Sequence, residues 1–239
     1  MGLTVAVGLY AQNLAVGEED EEFLNEPFNQ LSEVLTENGM LSHTEPRTIP
    51  NDEYFEAGMW GYNGMHALRR LAAHLSINGQ LPQPAEYGAY SDDPVYVEFN
   101  RTHERYLESP LSKDFMGLFR KKLPPPPYQH LIMHSDAEGF YVPQSFNEVI
   151  VDWTQPQRPG LGMMIGSSSK LLEECEALAK SLNLPADFDP EADEFLELLE
   201  APPATGKPWQ ILPVEAHTVA NLASAARASL KFGAAIQFC

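Results

Sequence analysis

The stretch that decides the fold is 130–146, HLIMHSDAEGFYVPQSF, which combines strand-forming residues with a tight-turn signal. Leu131–Met133 and Phe140–Val142 favour extended structure, and Ser135–Gly139 between them has turn composition and ends in a glycine suited to a positive φ. Pro143 then ends the second run or places it at a sheet edge. The sequence therefore predicts a β-hairpin at the centre of the fold.

The same stretch contains a candidate metal site. If extended geometry continued through the turn, His134, Asp136 and Glu138 would lie on one face, because strand side chains alternate with a period of two. One imidazole and two carboxylates form a plausible ligand set for a divalent metal. A turn would break that alternation, and Asp-Ala-Glu-Gly is ordinary turn chemistry. We therefore favour a structural turn and keep the metal site as an alternative.

Composition bounds the function. The 239-residue chain has 34 acidic and 15 basic residues, a formal net charge of -19, and 44% hydrophobic residues, which predicts a folded protein. The negative charge argues against binding nucleic acid or an anionic membrane, because such binding needs a positive surface. A basic protein partner would be attracted instead. The alternative is that the acid only keeps the protein soluble.

Cysteine usage and the chain start indicate the compartment. Only Cys175 and Cys239 are present, so no disulfide scaffold is predicted. Met1–Tyr10 lacks a basic region and a cleavage pattern, and no apolar run reaches membrane-span length. We therefore expect a cytoplasmic protein. No Walker loop, G-x-S-x-G elbow or paired C-x-x-C occurs, and we expect no cofactor.

Hydrophobic periodicity and capping signals predict an α+β protein, with a mixed or antiparallel sheet flanked by about five helices, in a single domain over residues 1–239. The proline run at 124–127 is a candidate subdomain boundary. Strands are predicted at Thr4–Tyr10, Glu148–Val151, Trp209–Leu212 and Ala234–Phe238. Helices are predicted to begin at Asn25, at Ser109-Pro110, at Ser167 and after Asp189-Pro190, and to cover Tyr62–Leu75 and Glu215–Lys231.

Two places could bind an anion. His66, Arg70 and His74 recur every four residues on one helix face, where they could hold an anionic substrate, serve an internal carboxylate or simply face solvent. Ser167 and Ser168 open a helix, where free backbone N–H groups and hydroxyls converge. Ordinary serine capping explains the second pattern without a ligand.

Four segments together resemble a family of acidic bacterial cytoplasmic proteins: EDEEFLNEPF (19–28), YNGMHALRRLAAHL (62–75), HSDAEGFYVPQSF (134–146) and GSSSKLLEECEALA (166–179). The resemblance spans much of the chain and implies no catalytic residue. In character, though not in motif, the chain is similar to immunity proteins that neutralise bacterial toxins.

Three hypotheses follow. The leading one is a non-enzymatic acidic protein-binding module of the immunity type that engages a basic toxin or other basic partner. The first alternative is a metal-dependent hydrolase that uses His134, Asp136 and Glu138, with His66 and Arg70 holding an anionic substrate. The second is a nucleic-acid mimic, which would need carboxylates in rows at phosphate-like spacing. The sequence leaves the oligomeric state open.

Overall fold

A computed structural model describes residues 3–17, 20–86, 88–108, 125–135, 138–152, 158 and 161–239. In this part of the chain six strands form one mixed sheet, and helices cover both of its faces, which confirms the predicted α+β class. The strands are β1 (Thr4–Val7), β2 (Phe55–Gly58), β3 (Phe140–Val142), β4 (Ile150–Val151), β5 (Met164–Ser167) and β6 (Ile236–Phe238). The helices are α1 (Leu9–Val16), α2 (Glu21–Glu37), α3 (Gly61–Asn78), α4 (Pro94–Glu108), α5 (Gln129–Ile132), α6 (Ser168–Ser181), α7 (Asp193–Glu200), α8 (Pro208–Ile211) and α9 (Pro213–Phe232).

The sheet has the strand order β2-β1-β6-β3-β5-β4. Only β3 and β5 run parallel, with Tyr141 opposite Gly166; the other neighbours are antiparallel. Because strand side chains alternate, β3 buries Tyr141 on one face and Phe140 and Val142 on the other. The sheet therefore separates two hydrophobic cores.

The larger core lies on the face of Tyr141. There α9 packs against α3 and α6, and alanines such as Ala216 and Ala226 let the backbones approach closely. Helix α7 joins this core through Phe195 and Leu199. Helix α2 covers the opposite face and buries Phe28, Leu31, Val34 and Leu35 against β3 and β5. Helices α2 and α7 therefore lie on opposite sides of the sheet.

The predicted central hairpin is wrong in its first half. Residues Gln129–Ile132 form the short helix α5, and β3 pairs with β5 and β6 instead. The carboxylate of Glu174 accepts hydrogen bonds from the backbone N–H groups of His130 and Leu131, at 3.1 and 2.8 Å, so a side chain takes the place of a strand partner. The turn glycine Gly139 does have a positive φ, of 98°.

Three further element predictions need correction. The strand predicted at Thr4–Tyr10 ends at Val7, because Gly8 has a positive φ of 85° and the chain continues as helix α1 from Leu9. Helix α2 begins at Glu21 with Asp20 as its cap, not at Asn25, and it contains Pro27 in its interior. Trp209 lies in helix α8 rather than in a strand. The helix predicted from Ser109-Pro110 and residue 124 of the proline run lie outside the described residues.

A substitution at Gly166 tests the contact between strands β3 and β5. A Cβ atom at this position would lie 2.2 Å from the Tyr141 ring, which is fixed by its hydroxyl hydrogen bond to the His130 carbonyl, at 2.7 Å, and by stacking on His134, at 4.0 Å. We expect Gly166→Ala to lower the free energy of unfolding by about 1–3 kcal/mol, the usual cost of overpacking a core. Urea denaturation measures this.

The matched control is Gly58→Ala in β2, where an added Cβ would meet no atom within 4 Å. We expect this variant to unfold at nearly the same urea concentration as the parent. Equal destabilisation by the two substitutions would contradict the proposed packing of Tyr141 on Gly166.

Candidate functional site: two acidic surfaces

The excess negative charge is concentrated in two segments of the chain. Residues 1–46 contain nine acidic residues, and residues 181–206 contain seven, with no lysine or arginine in either segment. The rest of the chain is nearly balanced, with 18 acidic and 15 basic residues. The charge imbalance therefore comes from two segments of the sequence, and not from the chain as a whole.

The first acidic surface is built on α7 and the loop that precedes it. It consists of seven exposed carboxylates and is called the α7 surface below; its members are Asp187, Asp189, Glu191, Asp193, Glu194, Glu197 and Glu200. Phe195 and Leu199 are buried, and the ring of Phe195 stacks on His217 at a centroid distance of 6.2 Å. The apolar side of α7 thus anchors the helix, and its acidic side faces solvent.

No cation neutralises the α7 surface within the described part of the chain. None of its seven carboxylates forms an ion pair there with lysine or arginine, and Glu191 lies 3.8 Å from the imidazole of His217. Burial lowers the pKa of His217 below its usual value, so this ring is mainly neutral at pH 7. Among the described residues, therefore, no paired lysine or arginine relieves the mutual repulsion of the seven carboxylates.

The second acidic surface lies along α2, and is called the α2 surface; its exposed carboxylates are Asp20, Glu21, Glu22, Glu26, Glu33 and Glu37. Two arginines from other segments neutralise part of it. Arg158 approaches Glu33 at 3.7 Å and Glu37 at 2.8 Å, and Arg47 pairs with Glu21. The α2 surface is therefore partly compensated within the molecule, unlike the α7 surface.

The residues predicted to bind a metal do not come together as a metal site in the described part of the chain. His134 is buried, and its Nδ1 and Nε2 atoms lie 2.7 and 3.1 Å from the carbonyl oxygens of Ser135 and Phe140. Glu138 is exposed, and Asp136 lies outside the described residues. Among the residues that are described, no three His, Cys, Asp or Glu side chains gather to hold a metal. The set as a whole stays a prediction, but backbone oxygens already occupy both ring nitrogens of His134.

The basic stripe on α3 serves an internal carboxylate. Arg70 is buried and pairs with Asp93 at 2.7 Å, and His74 lies 3.0 Å from the same carboxylate. Burial alone would raise the pKa of Asp93, but hydrogen bonds from Arg70 and His74 outweigh it and lower the pKa to about 2. His66 is half-buried beside Tyr96, at a centroid distance of 6.3 Å. Anion binding by His66 and Arg70 stays a prediction.

The two serines at the start of α6 face the interior. Ser167 is the N-cap, and its hydroxyl donates to the Gln144 carbonyl at 2.6 Å. The Ser168 hydroxyl pairs with that of Ser229 at 2.7 Å. Both serines are fully buried, so capping and internal hydrogen bonds account for both hydroxyls. Their role in anion binding likewise stays a prediction.

The fold and the partition of charge define an acidic α+β protein with two separate carboxylate surfaces on opposite sides of one sheet. The chain belongs to the family described as "Putative DNA-mimic protein", whose model matches residues 1–238. No curated protein and no solved structure matches the chain. In the described part of the chain, no helix has both the length and the apolar character needed to cross a membrane.

Family membership corrects the leading hypothesis from sequence. The interpretation as an immunity-type module for a basic toxin or partner is wrong, and the nucleic-acid mimic, which was kept as an alternative, agrees with the family. The predicted partner is corrected in the same way. A partner of a DNA mimic is defined by its DNA-binding surface and not by its net charge. A protein of any net charge can have such a surface. The expectation from sequence that nucleic acid plays no part is corrected too, because a DNA mimic is related to nucleic acid through the proteins that bind DNA.

The Arg70–Asp93 pair generates a stability prediction. Asp93→Ala would leave a buried guanidinium without its carboxylate, so we expect the free energy of unfolding to fall by about 3–5 kcal/mol. Asp92→Ala is the control, because Asp92 is exposed and adjacent in sequence. We expect the control to change stability by about 0.5 kcal/mol or less. Chemical denaturation compares the two, and equal losses would contradict the internal role of the pair.

Glu174 generates a pH prediction. Burial raises its pKa to about 8, despite the two backbone N–H groups that bind its carboxylate. The folded state then holds the proton more tightly than the unfolded state, whose carboxyl has a pKa of about 4.3. The stability that comes from this tighter proton binding is fully present below about pH 4.3, the pKa of the unfolded state, and is lost as the pH rises towards 8. We expect the free energy of unfolding to fall by about 2–4 kcal/mol from pH 5 to pH 8 on this account.

Glu174→Gln should flatten this pH profile, because glutamine does not ionise. The control is Glu173→Gln, whose carboxylate is exposed and pairs with Lys170 at 2.7 Å. Denaturant titrations at several pH values measure the slopes. If Glu174→Gln kept the parent slope and Glu173→Gln lost it, the assignment would be wrong.

Proposed function

We propose that this protein acts as a DNA mimic whose α7 surface occupies the DNA-binding site of a DNA-binding protein. The observation that carries the proposal is the α7 surface itself: seven exposed carboxylates within residues 187–200 and no lysine or arginine paired with them in the described part of the chain. A surface of this kind repels nucleic acid and attracts the protein surface that normally contacts phosphates.

Charge density favours α7 over α2 as the mimicking element. Helix α7 has eight residues and four carboxylates, so it is about 12 Å long and carries one charge per about 3 Å. One strand of duplex DNA carries a charge per about 3.4 Å of helix axis. Helix α2 has 17 residues and five glutamates, about one charge per 5 Å, and arginines pair with three of the five. The α7 surface therefore comes closer to a row of phosphates.

Its construction also suits the role. Four of the seven carboxylates lie on a short helix whose Phe195 and Leu199 are fixed in the core, so the spacing of these four is set before a partner arrives. Binding would relieve the repulsion among them, because positive groups of the partner would replace the counterions around them. No catalytic step is required of such a protein. We place this activity in the bacterial cytoplasm, where DNA-binding proteins work.

Competition with DNA tests the proposal. The full-length protein is immobilised and exposed to a nuclease-treated bacterial lysate, and bound proteins are challenged with duplex DNA. We expect duplex DNA to release a captured protein that itself binds DNA, and the affinity of the purified pair to fall steeply with salt. Failure to capture any protein, or captured proteins that excess duplex DNA does not release, would overturn the proposal.

Two charge-matched variants locate the surface. One combines Asp193→Asn, Glu194→Gln, Glu197→Gln and Glu200→Gln on α7; the other combines Glu22→Gln, Glu26→Gln, Glu33→Gln and Glu37→Gln on α2. Both remove four negative charges, so effects of net charge alone are equal. We expect the α7 variant to bind the captured partner about tenfold more weakly or worse, and the α2 variant to change little. The opposite ranking would assign the mimicry to α2.

A further inference from the structure

A cavity of about 570 Å³ opens beside the α7 surface. Its walls come from several elements and include Trp60, Tyr90, Leu199, Pro202 and Glu215. The volume lies within the usual range of ligand pockets, about 300–1,000 Å³. Most of the lining is apolar, and Glu200 and Glu215 are its two acidic residues.

Glu215 contributes a buried carboxyl group to the wall of this cavity. The residue lies in the first turn of α9 and is 2% exposed, and its Oε1 atom has no hydrogen-bond partner among the described residues. A buried carboxyl oxygen without a donor costs free energy, and a donor in the cavity would recover it once the Glu215 side chain turns towards the cavity. Burial raises the pKa of Glu215 to about 7, so the group ionises easily once a positive charge approaches.

Trp60 contributes an aromatic wall in an unusual backbone conformation. Its φ is 55°, in the left-handed region that bulky residues rarely adopt, and it remains 37% exposed. Strain of this kind is concentrated at functional sites, where the surrounding structure enforces it. Together with Tyr90, Trp60 offers aromatic surface to a cation or a flat polar group.

Glu200 connects the cavity with the α7 surface. It is the last residue of α7, it is exposed, and it also lines the cavity. A protein bound on the α7 surface would therefore have side chains within reach of Glu215. An entering group would then meet both acidic residues of the lining, Glu200 and Glu215.

The charges around Glu215 favour a cation over an anion. Burial has the largest effect on the pKa of Glu215 and raises it, and the positive charge of Arg70 lowers it, but Arg70 is itself paired with Asp93 at 2.7 Å. With that pair neutral overall, Glu200 and the ionised form of Glu215 make the site negative. A carboxylate or phosphate ligand would be repelled, whereas a guanidinium would be attracted.

We propose that this cavity receives an arginine side chain of the DNA-binding protein, with the guanidinium on Glu215 and Glu200 and the stem against Trp60. The proposal rests on the proposed function, and adds the residue type by which the partner is held. Arginine fits better than lysine, because its planar guanidinium binds carboxylates with two parallel hydrogen bonds and stacks on aromatic rings. Arginine is also common where proteins read DNA and at the centres of interfaces.

A small probe tests the cavity without a partner. N-acetyl-arginine methylamide is titrated into the full-length protein, and the indole N–H signal of Trp60 is followed by NMR, assigned with Trp60→Phe. We expect a saturable shift with the arginine probe, and none with N-acetyl-citrulline methylamide, which has the same shape without the charge. No shift with the arginine probe, or an equal shift with citrulline, would overturn the cavity proposal.

Single substitutions distinguish binding of the arginine probe in the cavity from a general attraction to the negative charge of the protein. Glu215→Gln should abolish the arginine shift, and Glu200→Gln, at an exposed position that does not endanger folding, should weaken it at least about fivefold. Glu22→Gln on the opposite side of the sheet should leave it unchanged. Equal weakening by all three substitutions would reduce the effect to net charge and overturn the proposal.

The captured DNA-binding protein distinguishes the two proposals. If Glu215→Gln weakens its binding at least about tenfold while duplex DNA still displaces it, both stand. If Glu215→Gln binds like the parent and DNA still displaces the partner, the cavity proposal fails and the mimicry stands. If DNA does not displace the partner, the mimicry fails, and an arginine shift would then indicate a site for a free guanidinium compound, which overturns the assignment to a partner side chain.

Discussion

The structure depends on the alternation of side chains along β3, which is buried on both faces. Phe140 and Val142 require an apolar cover on one side, and Tyr141 requires one on the other. Helix α2 provides the first cover, and α9 with its neighbours provides the second. Helix α9 is buried along most of its length, but α2 and α7 each have an outer side in water, where the chain can carry charge without disturbing the core.

This arrangement explains how a protein with so large a negative charge remains folded. The acidic helices keep their apolar side in a core, so hydrophobic burial offsets the repulsion among carboxylates on the outer side. On α2 two arginines reduce that repulsion, and on α7 no described cation does so. Among the described residues, the α7 surface is thus the larger group of exposed carboxylates without a paired lysine or arginine.

Sequence reasoning predicted the elements that have a strong local cause. The helices at 61–78 and 213–232 combine a hydrophobic stripe with a glycine immediately after the last turn, and Ser167 caps α6 as predicted. The segment Gln129–Ile132 could not be predicted in this way, because its backbone is held by Glu174, 44 residues away from His130. The α7 surface was missed, although its signal was present: residues 181–206 contain no lysine or arginine. The net charge of the whole chain does not show this uneven distribution, whereas counting acidic and basic residues segment by segment does.

Charge and shape contribute differently to recognition. A row of carboxylates speeds the encounter with any phosphate-binding surface and weakens with salt, but it discriminates poorly among proteins that all bind DNA. Discrimination requires an interaction that only some partners can make, and it acts mainly on the dissociation rate. The cavity with Glu215 and Trp60 has the properties for this, because a misplaced or absent guanidinium leaves a buried carboxyl oxygen without a donor. On this view the α7 surface gathers DNA-binding proteins, and the cavity beside it retains those with an arginine in the right place.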